Sequence, residues 1–353
     1  MDTCIYFLKA SQGDCFLIET YDLDDNKIFI MIDGGVPHTF RKYIAPLLKN
    51  IKVLDLLVLT HIDDDHISGL TTFFSSELYK KIEIKEYWAN CKESLLCKNS
   101  NKVSFGSAVS FNTLLNEREG EQGEYKWDKE IVYTGTSVKI KNVELTILSP
   151  QMKQIEIFRE KWKDYIEKLA DNEVAHSVSN QISKGSITEL AGLPFVPNKS
   201  LENDFVNASS IAFILKTNDL SILFLADARA EVIIDSLIGL GYNTENKLSV
   251  DYVKLSHHGS KNNTSLELLN YISCNRYVIS TNGGVGRSKH PDRETISRIL
   301  CREKDKNEKT YFYFNYSLID IEQKAGQFLT KKECEEFNCE IYENVCKIIP
   351  YEK

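Results

Sequence analysis

The chain has 353 residues, of which 42% are hydrophobic and 27% are charged, enough for a sizeable buried core in one large or two small domains. Its formal net charge of −8 argues against a protein that coats long nucleic acid by neutralising many phosphates. No apolar run of 18 residues and no signal-peptide pattern is found, and the nine irregularly spaced cysteines do not suggest a disulfide framework, so we expect a cytoplasmic protein without membrane contact.

Strand and helix patterns alternate through the first half of the chain. Strands are predicted at 4–9, 14–20, 28–33, 54–59, 83–89, 131–134 and 143–148. Helices are predicted at 69–80 and 106–116. Between 152 and 171, apolar residues recur every three or four positions, which indicates an amphipathic helix. With the polar, irregular segment that follows it, this helix forms a predicted helical insertion over 151–204.

A similar succession fills the second half. Strands are predicted at 208–216, 220–226, 251–255 and 276–280, and helices near 229–240, 264–272 and 291–304. The aromatic run 311–314 has the character of a strand, and Thr330 with Glu333 has the pattern of a helix cap. Two strand-rich halves of similar layout favour a sandwich of layers.

The segment after the strand at 54–59 carries the strongest functional signal. Two imidazoles and three carboxylates lie within six residues, from His61 to His66, and Gly69 follows them. A buried strand that ends at such a cluster delivers the polar side chains to the rim of a sheet, where they can converge on an ion. The pattern therefore predicts a metal site, the alternative being a solvated acidic turn.

This segment resembles the His-x-His-x-Asp-His signature of the metallo-β-lactamase fold, with Asp63 in the place of the second His. The His-x-Asp-x-Asp-His form resembles the subgroup that includes the metallo-β-lactamase-like domain of the DNA-uptake channel protein ComEC. Segments similar to other motifs of that subgroup are Ser11-Gln12-Gly13-Asp14, Asp33-Gly34-Gly35, Asn207-Ala208-Ser209-Ser210, Ala226-Asp227, His257-His258-Gly259-Ser260 and Lys289-His290-Pro291. The resemblance covers about residues 4 to 300.

The resemblance implies an α+β fold, a four-layer αββα sandwich with the helical insertion at 151–204. It implies a hydrolase domain over 1–305, with 306–353 as an extension packed on it. It also implies two divalent ions, Zn²⁺ or Mn²⁺, whose ligands would be His61 and Asp63 for the first ion, Asp65 and His66 for the second, Asp227 for both, and His257 or His258 to complete the second site.

One departure from the classical pattern affects the metal. Classical members supply a third-motif His to the first ion, whereas this chain has Asn207 to Ser210 in that region. The oxygen-rich ligand set that remains is compatible with two Zn²⁺, two Mn²⁺, or one tightly bound ion. By the same resemblance Asp64 points away from the ions, and Asp33 orients the ligand loop.

The resemblance implies hydrolysis of a phosphodiester by a hydroxide that bridges the ions, most simply a nuclease acting on DNA or RNA. Asp65 and His290 would be catalytic, His290 by contacting a phosphate oxygen or protonating a leaving group. The basic residues around the site, which either contact substrate or are solvated, are Lys254, Lys261, Arg287, Lys289 and Arg293. A partner protein, such as an ATPase in anti-phage defence, could select the nucleic acid.

Three other functions stay open at this point. A phosphodiesterase of small or cyclic nucleotides suits the acidic net charge. A hydrolase of non-phosphate esters would use the same ligands. A metal-binding interaction module without catalysis is the third alternative.

Overall fold

The computed structural model describes residues 2–90, 132–135, 137–168, 183–286, 288–305 and 307–350. The helix predicted at 106–116 and the basic residue Arg287 lie outside these ranges. Every residue predicted as a metal ligand or catalytic group lies within them.

Two large sheets form the centre of the molecule. The first has six strands in the spatial order β18-β1-β2-β3-β5-β7, and the second has eight in the order β17-β16-β15-β13-β11-β10-β9-β8. The strands of the first are β1 (Cys4–Phe7), β2 (Phe16–Tyr21), β3 (Lys27–Ile32), β5 (Leu56–Val58), β7 (Tyr87–Trp88) and β18 (Lys347–Ile348). Those of the second are β8 (Ser137–Ile140), β9 (Val143–Ser149), β10 (Ala212–Lys216), β11 (Ser221–Phe224), β13 (Tyr252–Lys254), β15 (Arg276–Ile279), β16 (Thr310–Phe314) and β17 (Cys339–Tyr342). Two short pairs join β4 (Val53–Leu54) to β6 (Glu83–Ile84) and β12 (Leu248–Ser249) to β14 (Ile272–Ser273).

The helices of the described chain lie between these strands in sequence. They are α1 (Pro37–Thr39), α2 (Ala45–Leu48), α3 (Asp64–Phe74), α4 (Met152–Lys168), α5 (Ile187–Ala191), α6 (Phe205–Ala208), α7 (Ala230–Gly239), α8 (Leu266–Asn270), α9 (Arg293–Cys301), α10 (Leu318–Ala325) and α11 (Lys331–Glu336). A π-helical segment, Phe40–Ile44, joins α1 to α2, and single 3₁₀ turns occupy Tyr79–Lys81 and Ser256–Gly259.

Three apolar clusters arrange these elements in four layers. The central cluster joins the inner faces of the two sheets, for example Phe16 of β2 with Phe224 of β11. A second cluster packs α1 to α3 on the outer face of the first sheet, and a third packs α7 to α9 on the second. Because both faces of each sheet are covered, even a short strand such as β13 is buried at every residue. The predicted four-layer αββα sandwich is confirmed.

Several predicted element bounds are wrong. The strand expected at 54–59 is interrupted at Asp55, whose carboxylate accepts hydrogen bonds from the Phe29 amide at 3.0 Å and the Lys85 ammonium at 3.0 Å. The helix expected at 69–80 begins instead at Asp64, because carboxylates in a first helical turn are favoured by the helix dipole. Residues 132–134 form no strand, and Val132 is held by Asn90.

The segments at the predicted domain limits contribute to the core. The insertion over 151–204 contains α4, α5 and α6, and Ile187 and Leu190 of α5 are buried against α9. After residue 305, β16 and β17 extend the second sheet, while β18 pairs with β1 at the edge of the first. The boundary at 305 stays a prediction. No helix in the described part of the chain is long and apolar enough to cross a membrane.

Candidate metal centre

The ends of three strands meet at one rim of the sandwich and lead to the predicted ligands. After β5, the chain reaches His61, and α3 then begins with Asp63 as its N-cap, which places His66 in the first turn. In the facing sheet the parallel strands β11 and β13 end just before Asp227 and the His257-His258 pair. Polar side chains at parallel strand ends thus converge from both sheets.

Two of the imidazoles have one nitrogen fixed as a hydrogen-bond donor. Nδ1 of His66 lies 2.8 Å from a carboxylate oxygen of Asp33, and Nδ1 of His258 lies 2.9 Å from the carbonyl oxygen of Ser280. Both partners only accept hydrogen bonds, so the hydrogen of each neutral ring is on Nδ1. Each Nε2 therefore presents a lone pair, and both are buried without a hydrogen-bond partner among the described residues.

His61 is fixed in the same way through a hydroxyl group. Thr60 donates its hydroxyl hydrogen to Asp33 at 2.7 Å, so the same oxygen accepts from Nδ1 of His61 at 3.1 Å. Asp33 thereby orients both His61 and His66, and it also accepts from the Thr60 amide at 2.8 Å. This agrees with its predicted role in orienting the loop.

Asp227 stands at the centre of these lone pairs. Its Oδ1 lies 3.6 Å from Nε2 of His66, and its Oδ2 lies 3.7 Å from Nε2 of His61, 3.7 Å from that of His257 and 3.9 Å from that of His258. An imidazole lone pair and a carboxylate oxygen repel each other unless a cation lies between them. The arrangement is therefore suited to cations on both sides of one carboxylate.

The other two predicted carboxylates flank this centre on opposite sides. Asp63, which is partly exposed, lies 3.7 Å from Nε2 of His61, and Asp65 lies 3.7 Å from Nε2 of His258. Asp65, His66 and His258 form one group with mutually close ligand atoms, while Asp227 joins His61 and His66 in another. Asp64 belongs to neither group, as predicted.

The distances themselves suit metal coordination. Separations of 3.6–3.9 Å are too long for hydrogen bonds. Two ligands of one tetrahedral Zn²⁺ lie about 3.4 Å apart, since each metal–ligand bond is about 2.0–2.2 Å. The residues present thus fit divalent ions.

Burial and neighbouring charges shift the pKa values of the same groups. Burial raises the pKa of Asp227, but the surrounding imidazoles, with His257 foremost, outweigh burial and hold this pKa well below its usual value. Burial lowers the pKa of His66, yet Asp227 and Asp33 together raise it well above the ordinary value, so in the metal-free protein a proton on Nε2 competes with an ion for this lone pair. For His258 burial dominates and the pKa lies well below normal, which keeps its imidazole neutral and available as a ligand.

The turn that contains Asp14 contacts the metal centre through Lys254 and His258. Asp14 forms a buried ion pair with Lys254, and the same ammonium donates to the carbonyl oxygen of Ala226 at 3.2 Å, next to Asp227. The other Asp14 oxygen lies 3.6 Å from Nδ1 of His258. Since Lys254 is only 1% exposed and is paired with Asp14, both alternatives for this lysine, a substrate contact and a solvated surface charge, are wrong.

Two further basic residues around the site also form ion pairs with carboxylates. Lys261 pairs with Glu294 at 2.8 Å, and Arg293 pairs with Glu333 at 2.5 Å. Lys289 is partly exposed and, in the described part of the segment, has no acidic partner. The interpretation that Lys261 and Arg293 are simply solvated is therefore wrong, and any phosphate contact by them would require these pairs to open.

His290 lies beside the cluster but outside it. Its ring centroid is 5.3 Å from that of His257, and its Nδ1 lies 3.3 Å from a carboxylate oxygen of Asp292. The prediction that Pro291 occupies the first turn of the helix is wrong, because α9 begins at Arg293 with Asp292 as N-cap. His290 is thus held by the loop before the helix and is not in its first turn.

Comparison with known proteins identifies the fold. Residues 8–138 match the family model described as "Metallo-beta-lactamase superfamily", and this range includes the ligand loop from His61 to His66. The match and the four-layer architecture agree on the metallo-β-lactamase fold, as the sequence predicted. The sequence is not detectably similar to any curated protein.

Solved structures with similar folds are distant in sequence. One is the metallo-beta-lactamase fold protein YhfI from Bacillus subtilis, at 10% identity and a TM-score of 0.41 over 99% of this chain and 100% of that one. Zn²⁺-bound PqqB from Methylobacterium extorquens has 9% identity and a TM-score of 0.42, with 99% of each chain covered. A long form RNase Z from yeast has 13% identity and a TM-score of 0.35 over 95% of this chain and 44% of that one. Similarity at this level carries no information about substrate.

Proposed function

We propose that this protein is a metal-dependent phosphodiesterase, and specifically a nuclease that cleaves DNA or RNA. The observation that carries the proposal is the pair of ligand groups on either side of Asp227, each with imidazole lone pairs that no described hydrogen-bond donor satisfies. The family match over residues 8–138 supports hydrolase chemistry. When bound, two divalent ions would supply positive charge to a phosphoryl oxygen and acidify a water molecule.

The residues of the chain have separate tasks in this proposal. His61 and Asp63 would hold one ion and Asp65, His66 and His258 the other, while Asp227 offers one oxygen to each side. A carboxylate is the only side chain here that can serve both, because it has two acceptor oxygens.

In this proposal, His290 holds a proton for a leaving group. A carboxylate oxygen of Asp292 lies 3.3 Å from its Nδ1, and the ring is buried next to His257. A buried imidazole with a carboxylate partner is suited to general acid catalysis.

A second candidate function follows from the basic residues. Because Lys254, Lys261 and Arg293 are paired with carboxylates, few described cations near the centre are available to hold a polynucleotide backbone. This favours a small or cyclic nucleotide as substrate. For a nuclease, the same observation supports a partner protein that holds the nucleic acid, for which an ATPase in anti-phage defence and a ComEC-like role remain our proposals.

A substrate panel separates the two candidates. Purified protein loaded with Zn²⁺ or with Mn²⁺ is incubated with labelled single-stranded DNA, double-stranded DNA, RNA, cyclic nucleotides and bis-p-nitrophenyl phosphate. We expect cleavage of the simple diester and of at least one polynucleotide. Cleavage of cyclic nucleotides alone would replace the nuclease with the second candidate, and hydrolysis of carboxylic or thiol esters alone would overturn both.

Replacement of His290 tests its role as a proton donor. We expect His290→Ala to lower the rate on an oligonucleotide by at least about tenfold, or about 1.4 kcal/mol of transition-state stabilisation, with metal content unchanged. His38→Ala, the same change at an exposed histidine outside the site, is the matched control. Full activity of the His290 variant with both ions bound would assign this imidazole to packing, and loss of an ion would make it a ligand.

A further inference from the structure

The ligand group around His61 is smaller than the group around His258. Apart from Asp227, the second group contains Asp65, His66 and His258, whereas the first contains His61, with Asp63 3.7 Å from its Nε2, and shares His66 with the second. Because Nε2 of His66 has one lone pair, it can bind a single ion, and assigning it to the second leaves His61 and Asp63 for the first. A divalent ion held by two residues and one shared carboxylate lacks a protein donor that its neighbour has. A further ligand of the first ion would have to be a described side chain with a donor atom directed at that ion.

His257 faces the same carboxylate oxygen as His61 does. Nε2 of His257 and Nε2 of His61 each lie 3.7 Å from Oδ2 of Asp227, the oxygen on the first side. Oδ1 of Asp227 faces His66 instead, on the second side. Nε2 of His258 also faces Oδ2, at 3.9 Å, but it lies 3.7 Å from Asp65 as well, which places it in the second group. In the described part of the chain His257 has no such contact with Asp65, and its contact with Oδ2 matches that of His61, a ligand already assigned to the first ion.

The protonation of His257 is fixed by a neighbouring amide. Asn263 donates its amide hydrogens to the carbonyl oxygens of Asp227 at 2.9 Å and Ala228 at 3.3 Å. Its oxygen must then face Nδ1 of His257, at 3.2 Å, and can only accept a hydrogen bond from it. The hydrogen of the neutral ring is thus on Nδ1, and Nε2 directs a lone pair at Oδ2 of Asp227.

The backbone of the turn places the two adjacent imidazoles in different directions. Both His257 and His258 have left-handed conformations, with φ of 46° and 56°, which are unfavourable for residues other than glycine or asparagine. The turn is held by hydrogen bonds from the His257 amide to Ala226 and from the Ser260 amide to His257, both 2.9 Å. The two rings are nearly perpendicular, at 82°.

We propose that His257 is a ligand of the first ion and that His258 is a ligand of the second, so that a single strained turn supplies one imidazole to each. Asn263 is the positioning residue that keeps the His257 lone pair directed at the centre. The inference rests on the metal centre of the proposed function and is independent of the substrate.

Metal stoichiometry tests the inference without any activity measurement. Metal-free protein is titrated with Zn²⁺ and with Co²⁺, following bound metal by elemental analysis after gel filtration and ligand-field spectra by absorbance. The test variant is His257→Asn, because asparagine tolerates the left-handed backbone at this position while its shorter side chain does not reach the ion. His257→Gly is a second variant that also permits this backbone.

We expect wild type to bind two ions, and both variants to keep one ion at wild-type affinity while the other binds at least about tenfold more weakly. The Co²⁺ spectrum should lose the contribution of the weakened site. His290→Ala, whose ring contacts His257 without facing Asp227, should bind two ions as wild type does. Two ions bound at wild-type affinity in both variants would overturn the inference.

Loss of both ions in a folded variant, judged by circular dichroism, would also overturn the inference, because His257 would then not belong to one site. Phosphodiester cleavage is measured separately on the same samples. If wild type binds two ions but cleaves no diester, the proposed function fails while the assignment of His257 is still decided by the stoichiometry.

Discussion

Asp227→Asn is expected to lower diester cleavage by at least about a thousandfold, equivalent to about 4 kcal/mol of transition-state stabilisation, and to weaken binding of both ions. The amide has nearly the shape of the carboxylate, so the packing of this buried side chain is kept. What is lost is the negative charge that faces four imidazoles at 3.6–3.9 Å and offers an oxygen to each ligand group. The measurement is the rate on bis-p-nitrophenyl phosphate together with metal content.

The matched control is Asp235→Asn, which makes the same chemical change at an exposed position of α7. This variant should have wild-type activity and both ions. A variant of Asp227 that keeps two ions and more than a tenth of the activity would show that the carboxylate does not join the two sites.

Lys254→Met is expected to destabilise the metal-free protein by about 3–5 kcal/mol, the cost of leaving a buried charge without its partner. Lys254 and Asp14 are 1% and 2% exposed, and they join the turn after β1 to the end of β13 across the two sheets. Burial already raises the pKa of Asp14, despite the opposing attraction of Lys254. Urea unfolding in the presence of a chelator measures the change.

A second substitution separates charge from packing. If the unpaired carboxylate causes the loss, then Asp14→Asn in the Lys254→Met background should recover a large part of the stability, because neither remaining group is charged. Additive losses in the double variant would instead assign the effect to packing around the lysine stem. Unfolding free energies of all four proteins complete the cycle.

The ligand loop could be found from sequence because its residues are close neighbours in the chain. His61, Asp63, Asp65 and His66 follow a short apolar strand, and such an order places them at a sheet rim whatever the rest of the fold. The four-layer architecture was accessible through the resemblance. The start of α3 was not, since a run of carboxylates hides the helical pattern that begins at Asp64.

The roles of Lys254 and of the two adjacent histidines depended on contacts that sequence cannot supply. Lys254 is neutralised by Asp14, 240 positions away, so its basic character suggested a substrate contact. In the proposed assignment, His257 and His258 serve different ions because Asn263 and Ser280 fix the two rings separately and because the turn is left-handed at both residues. The His-His-Gly-Ser motif by itself contains no information about these contacts or about the backbone of the turn.

The most direct test of the central claim is titration of metal-free protein with Mn²⁺ or Zn²⁺ while bis-p-nitrophenyl phosphate hydrolysis is followed. We predict no hydrolysis without metal and a rate that becomes maximal when two equivalents of metal are bound. In Asp227→Asn the rate should no longer depend on added metal in this way. Hydrolysis that is independent of added metal, or a fully loaded protein that cleaves no phosphodiester, would contradict the account.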